Sequence, residues 1–362
     1  MSNIINVISA SLENIRTPHF VQRSPRSLKH LKYFKASELR SWFFHFSLPV
    51  LEKIMVKEYF DHYKKLVLGI TLLNSDSISH EDIALAKVLL NEYVKEFELL
   101  YGKRFMSFNI HCLLHIDGVV LALGPLWVST CFGFESLNGL LARLVHGTRY
   151  AGTQIHKNIN LLHSLPNLIR LLNDGRVKNY CSSLSGSQKR LKVNEMISTE
   201  IYVIGNCVKS FILPPAFLDA VANATVIVGT NYSFYSRLKL GKFLYVASEY
   251  SRGFLKDSSC AMYNIHDEFL FGLVRVFVRV TQCSCESVCL CSAEHFALIE
   301  RLSVSQPFVS DTSSASCYHI MLSQPTDYVD VVPLSSLKSV CFHFRVCDNN
   351  YVSVPINNQE LE

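Results

Sequence analysis

The sequence predicts an α+β protein with its helices first and its strands after them, and three observations carry that prediction. From Leu39 to Leu168 the apolar residues recur at three- and four-residue intervals, the spacing of one buried helix face. Beyond the stretch SSLSGSQKRLKVNE the period falls to two, in short runs rich in Val, Tyr and Phe. With 49% of its 362 residues apolar, the chain can bury a substantial core. These patterns divide it into a basic arm (1–36), a mostly helical domain (37–180), a linker (181–195) and a β-rich antiparallel sandwich or small barrel (196–362).

The arm carries Arg16, Arg23, Arg26, Lys29, Lys32 and Lys35 against Glu13 alone, a net +5 that equals the formal charge of the whole chain. The remainder is therefore balanced, and basicity is local. Such an arm can neutralise a few phosphates and give salt-dependent affinity for nucleic acid, and the plain alternative is a solvated leader. The opening MSNIINVISASLENIR has neither the basic start nor the long apolar run of a secretory signal. An intracellular, reducing location follows, in which the twelve cysteines are free thiols or metal ligands rather than disulfides. His115, Asp117, Gly118, Gly124 and Pro125 interrupt the most apolar stretch, so no membrane span is expected.

Taken in order, Ser37 is placed to cap a helix that carries Glu38 in its first turn and runs through Leu39, Trp42, Phe43 and Phe46 until Pro49 ends or kinks it. Leu51, Ile54, Tyr59, Tyr63, Leu66 and Ile70 form the next stripe, with a break near Val56. Ser79-x-x-Asp82 has the form of a capping box, and Ile83, Ala86, Leu90, Tyr93, Phe97 and Leu100 make a long helix that Gly102 stops. Asn109 opens a helix with His111 and His115 on one face, Gly118 loosens its end and Gly124-Pro125 breaks the chain. Another helix begins near Glu135 with a stripe of Leu137, Leu140, Leu141, Leu144 and Val145, and a further one spans Ile155 to Leu168 with a kink at Pro166. Strands are expected at 242–250, 269–280, 318–322, 328–332, 340–346 and 351–354, with Asp348-Asn349 as a hairpin turn.

Several side chains in this frame are candidates for chemistry. Glu135 is a carboxylate in the first turn of a helix within an apolar neighbourhood, so it lies at a rim or has a partner such as a metal, Arg143 or Arg149. His111 and His115 have the four-residue spacing of zinc ligands, but residue 112 is Cys where a metalloprotease helix carries its glutamate base. A pair of structural core histidines is the preferred reading of them. Cys283, Cys285, Cys289 and Cys291 place sulfurs on one face of a strand and offer a zinc site, although the knuckle spacing of a zinc ribbon is absent. Lys189-Arg190-Leu191-Lys192 is a short basic run that fits phosphate contact, a nuclear address or a solvated linker.

The order N-x-H-x-x-x-H (109–115), G-P-L-W (124–127), C-F-x-F-E-S-x-N-G (131–139) and H-G-T-R (146–149) resembles the C-terminal part of CACTA (En/Spm-type) DNA transposases in their animal-genome version. Arg26-Ser27-Leu28, Lys35-Ala36-Ser37-Glu38, Ser47-Leu48-Pro49-Val50, Ser75-Asp76-Ser77-Ile78 and Leu100-Tyr101-Gly102 fit in the same order, and the end of the chain resembles a native C-terminus. The resemblance implies the end of an RNase H-like region with a helical insertion, in which two aspartates and a later helical glutamate hold two Mg²⁺ or Mn²⁺ ions. It makes Glu135 that glutamate, with Glu38 as runner-up, and it associates His111 and His115 with the fold rather than with zinc. It implies DNA, and a full-length transposase or a chromatin protein, as partners in the nucleus.

One departure weighs against activity. Only the thirty-six-residue basic arm stands where the sheet bearing the two aspartates would precede this region, and Asp61, Asp76 and Asp117 show no pattern that would replace them. The expectation is therefore a domesticated or fragmentary transposase-derived protein that does not catalyse transposition alone. The alternative is a non-enzymatic nucleic-acid or chromatin interaction module.

Overall fold

Helices occupy the first half of the chain and antiparallel sheets most of the second, in a mixed α+β arrangement. The structure, a computed structural model, describes residues 2–173, 175–185, 193–208, 215–225, 231–250, 256–281, 293–308 and 317–357. It forms two compact units, Met1–Trp127 with Lys192–Glu362, and Val128–Leu191.

In the larger unit, α1 (Ser2–Glu13) is followed by a 3-10 helix over Leu28–Tyr33, α2 (Ala36–Ser41), a widened turn at Trp42–Phe46 and α3 (Ser47–Leu51). Next come α4 (Lys57–Leu73), with Val56 as its N-cap, and α5 (His80–Tyr101). The capping box at α5 is formed as expected: the Asp82 N–H donates to Ser79 Oγ at 3.1 Å and the Ser79 N–H to Asp82 Oδ2 at 2.9 Å. Gly102 ends the helix at φ 91°, a backbone angle that a side chain disfavours. Helices α4 and α5 pack closely because residue 69 is glycine, where a Cβ would lie 2.9 Å from Leu90 Cγ. The expected single helix around His111 is instead α6 (Phe108–Cys112), a 3-10 turn at Leu113–His115 and α7 (Ile116–Leu123), which runs through Gly118.

The smaller unit contains α8 (Phe132–Arg143), α9 (Ala151–Arg170), which continues through Pro166, and α10 (Gly175–Ser185). The chain returns to the larger unit with β1 (Val193–Met196), β2 (Ile201–Ile204), α11 (Pro215–Ala224), β3 (Asn231–Tyr235), β4 (Arg237–Leu240) and β5 (Phe243–Val246). There follow β6 (Cys260–Ile265), β7 (Glu268–Thr281), β8 (Ala293–Ser305), β9 (Ile320–Pro333), β10 (Leu337–Val340), β11 (Phe342–Val346) and β12 (Asn349–Ser353).

One sheet has the order β1-β2-β4-β5 and the other β10-β6-β7-β8-β9-β12-β11, with β3 paired to the far half of β7. All these pairings are antiparallel. The register of β7 shifts between Val274 and Val276, so its alternation does not continue unbroken. Tyr245 and Leu238 from the smaller sheet bury against Tyr263, Val274, Phe277 and Ile299 from the larger.

Of the two boundaries between the units, the one at Leu191–Lys192 falls inside the expected linker 181–195, but the helices up to Trp127 and the β-rich part from Lys192 on form one unit rather than two domains. Leu12, Phe46, Leu48, Leu72 and Leu89 from the helices share one core with Phe308, Ile320, Phe342 and Tyr351 from the β-rich part. Phe46 meets Phe342 and Phe344 edge-on, and His45 stacks on Phe342 at 4.1 Å. Buried histidines fasten the same seam. The ring of His45 hydrogen-bonds Ser353 Oγ at 2.7 Å, and His319 Nε2–H donates to the Phe44 carbonyl at 2.7 Å. The expected linker also contains structure, since α10 ends at Ser185 and β1 starts at Val193.

Candidate functional site

The arm is folded rather than a loose leader. Ile8, Leu12 and Ile15 are buried in the shared core, and backbone bonds then hold the chain against the segment before β6. The Asp257 N–H donates to the Thr17 carbonyl at 3.0 Å, the His19 N–H donates to Ser258 Oγ at 2.9 Å, and Lys256 Nζ donates to Thr17 Oγ1 at 2.9 Å. Apolar residues at 8, 12 and 15, all ahead of the first basic residue Arg16, explain this, a pattern that the charge excess of the segment as a whole masks.

Within this segment the six predicted basic residues divide. Arg26 is committed to Glu38: its Nε and Nη2 donate to the two carboxylate oxygens at 2.6 and 2.8 Å. The Lys35 N–H adds a third bond at 2.9 Å, and Lys35 rather than the expected Ser37 is the N-cap of α2, two residues earlier, with Ser37 inside the helix. The Glu38 side chain is 2% exposed. Burial by itself would raise its carboxyl, but the Arg26 hydrogen bond, the Lys35 N–H and the charges of Arg26 and Arg23 outweigh that and hold it below the ordinary carboxylate range. Glu38 is therefore a structural anion with its lone pairs in use, which removes it as runner-up for a catalytic role. Arg16, Arg23, Lys29, Lys32 and Lys35 are exposed. Arg16 and His30 line a cleft of about 500 Å³ together with Glu13, Ser24, Arg26 and Ser27.

Glu135 lies in the first turn of α8, as expected, and its backbone N–H donates to the Cys131 carbonyl at 2.9 Å. Its side chain is exposed, and among the described residues the carboxylate makes no ion pair with Arg143 or Arg149. Nor is it buried in an apolar neighbourhood, because no described residue of the Val128–Leu191 unit is buried.

The aspartates that would have to complete a two-metal site are otherwise engaged. Asp61 pairs with Lys57 at 2.6 Å and Lys64 at 3.0 Å, and Asp117 pairs with Lys87 at 2.9 Å. Among the described residues no group of three His, Cys, Asp or Glu side chains converges as a metal site. Among the described residues, a pair of Mg²⁺ or Mn²⁺ ions thus finds no set of converging carboxylates to hold it.

His111 and His115 are on one face as predicted, with their Nε2 atoms 3.3 Å apart, but both rings are exposed rather than set in the core. The expectation of structural histidines is corrected on that point. The buried histidines are His45, His62 and His319, whose neighbours are aromatic and whose spacing carried no signal. Cys283, Cys285, Cys289 and Cys291 lie outside the described residues, as does the run 189–192. Among the described residues no single helix is long and apolar enough to cross a membrane. No family model, curated protein or solved structure matches this chain.

Proposed function

We propose that the chain is a transposase-derived protein of the CACTA type, the C-terminal portion of a cut-and-paste enzyme that contributes a helix-borne carboxylate, Glu135, but does not catalyse transposition by itself. The finer reading of the Val128–Leu191 unit as the end of an RNase H-like region belongs to this proposal. The observation that carries it is the state of Glu135: an exposed carboxylate in a first helical turn, with no ion pair among the described residues, on a unit none of whose described residues is buried. Its place in a first helical turn and its exposure to solvent leave it open to a second polypeptide, which is what the collinear resemblance from Arg26 to Arg149 asks of it. DNA, and a full-length transposase or chromatin protein in the nucleus, are the partners this reading entails.

The test is strand transfer by the purified chain with Mg²⁺ or Mn²⁺ and an oligonucleotide bearing a free 3′-hydroxyl. No joining is expected, and Glu135→Gln should leave both the fold and the null result unchanged. Joining that Glu135→Gln abolishes would show a self-sufficient catalytic core and overturn the incomplete reading. A second reading, a non-enzymatic nucleic-acid module, is favoured by the exposed cations of the folded N-terminal segment. It predicts salt-dependent DNA binding that survives Glu135→Gln.

A further inference from the structure

The 3-10 helix over Leu28–Tyr33 arranges its side chains in three stripes, because residues three apart eclipse one another in this helix and stand about 6 Å apart along its axis. Leu28 and Leu31 make the first stripe, and Leu28 packs against the shared core. That leaves the other two turned away from it. Lys29 and Lys32, both exposed, form a cationic stripe, and His30 and Tyr33 form a stripe of rings. His30 lines the cleft that also contains Arg16 and the Ser24 and Ser27 side chains. One turn further along the same stripe, the Tyr33 ring is 59% exposed, with Lys32 Nζ 4.8 Å from its centre.

We propose that this face binds single-stranded nucleic acid, with one phosphate in the cleft beside Arg16, successive phosphates along Lys29 and Lys32, and an unpaired base on Tyr33. Two features favour a strand of nucleic acid over an isolated phosphate group. The cations repeat at a helical step comparable to that between phosphates of one strand, and an exposed aromatic ring adjoins them, the combination that sequence-tolerant strand binders use. Tyr33 favours an unpaired strand over a duplex, whose bases are already stacked. The Arg26 guanidinium at the edge of the cleft is held in place by Glu38. Glu13 also lines the cleft and opposes an anion there, which gives the assignment a variant of opposite sign. The proposal rests on the nucleic-acid reading above and is independent of any role for Glu135.

The test uses fluorescence anisotropy of the full chain with a labelled oligothymidylate of about 20 nucleotides and a duplex of equal length, at about 50 and 200 mM salt. Neutralisation by three side chains, Arg16, Lys29 and Lys32, gives a slope of about −2.1 in log affinity against log salt, or roughly twentyfold weaker binding at the higher salt. The triple variant Arg16→Ala, Lys29→Ala, Lys32→Ala should lower that slope by about 2, Tyr33→Ala should weaken binding about tenfold at unchanged slope, and Glu13→Gln should tighten it. The three changed side chains other than Tyr33 and Glu13 are exposed cations, and circular dichroism of each variant checks that the fold is kept. Unchanged affinity in the triple variant overturns the assignment. So does a duplex that binds tighter than the single strand and ignores Tyr33→Ala, or a phosphopeptide that displaces the oligonucleotide at a lower concentration than competing strand does. Glu135→Gln should leave every value unchanged, and loss of binding in that variant alone would move the contact to the other unit. Failure here leaves the strand-transfer test standing, and failure there leaves this one.

Discussion

Replacing Phe46 with alanine should destabilise the helices and the strands of residues 342–353 together. Phe46 is 1% exposed, and its ring meets Phe342 and Phe344 with centroids 5.8 and 5.2 Å away. Phe-to-Ala truncations at buried sites cost about 3–5 kcal/mol through lost transfer energy and the cavity left behind. The upper half of that range is expected here, because neighbours drawn from two parts of the chain cannot both relax into the gap. Against a typical stability of about 5–15 kcal/mol, this is a large fraction. The assay is urea unfolding followed by circular dichroism, with hydrogen exchange read separately on α5 and on β11 and β12. If the two parts share a core, both lose protection by similar factors and the transition stays single. Protection that falls on α5 while β11 and β12 keep theirs would mean the parts fold independently, and the argument for one unit would fail.

The other expectations are narrower. Glu38→Gln should cost about 2 kcal/mol near neutral pH, since it weakens charge-assisted bonds to a buried acceptor. Because the folded carboxyl lies below its unfolded value, that stabilisation is present above the unfolded carboxyl's range and lost as pH falls through the folded one. The wild type should therefore lose stability in acid more steeply than the variant, as thermal melts at stepped pH would read, and parallel profiles would refute the ion pair. His111→Ala and His115→Ala should each change stability by no more than about 0.5 kcal/mol, because both rings are exposed, and a clearly larger loss in melting experiments would restore them to the core. Gly272→Ala should cost about 3 kcal/mol or prevent folding, since a Cβ there overlaps the Ile299 side chain and the Glu300 carbonyl across the β7–β8 ladder. Wild-type expression and melting of that variant would show that the ladder is not this tight.

Local signals in the sequence gave local answers. Ser79 and Asp82 announced the start of α5 and Gly102 its end, because caps act through neighbours three or four residues away. The turn between β11 and β12 lies one residue earlier than Asp348-Asn349, at Cys347-Asp348, with Cys347 held at φ 53°, a conformation its residue type does not announce. What periodicity could not show was which stripe meets which. The Phe46 stripe reads as an ordinary helix face, and nothing in its spacing names Phe342, almost three hundred residues later, as its neighbour. Strand β8 was missed because its polar positions Glu294, His295, Glu300 and Arg301 interrupt the alternation. In the structure charges offset them: Arg301 reaches Asp330 at 2.6 Å, and His295 and Arg279 lie near Glu195. The site was legible to the same degree. Glu135 was placed in its helical turn, but whether a carboxylate is satisfied depends on chain brought from elsewhere, and Glu38 illustrates the difference.

The Val128–Leu191 unit connects packing to chemistry most directly. Along α8, Leu137 and Leu140 of the stripe that reads in sequence as a buried face are 50 and 39% exposed, and Phe134 one turn earlier is 70% exposed. Burying such a side chain is worth about 1.5–3 kcal/mol, and a helix of this length is marginal in water without it. Amides of α8 should therefore exchange with solvent orders of magnitude faster than those of α5, where Ala86, Leu89 and Leu90 are buried. Hydrogen–deuterium exchange of the isolated chain reads this directly, and protection of α8 equal to that of α5 would mean the unit is already packed. The consequence for Glu135 is physical. A carboxylate on a helix that frays has no fixed direction, so under the proposed origin a polypeptide that covered the apolar stripe would also orient the carboxylate. If the proposed origin is right, packing and catalytic assembly are one event, and exchange at α8 should slow in the same complex in which Glu135→Gln begins to matter.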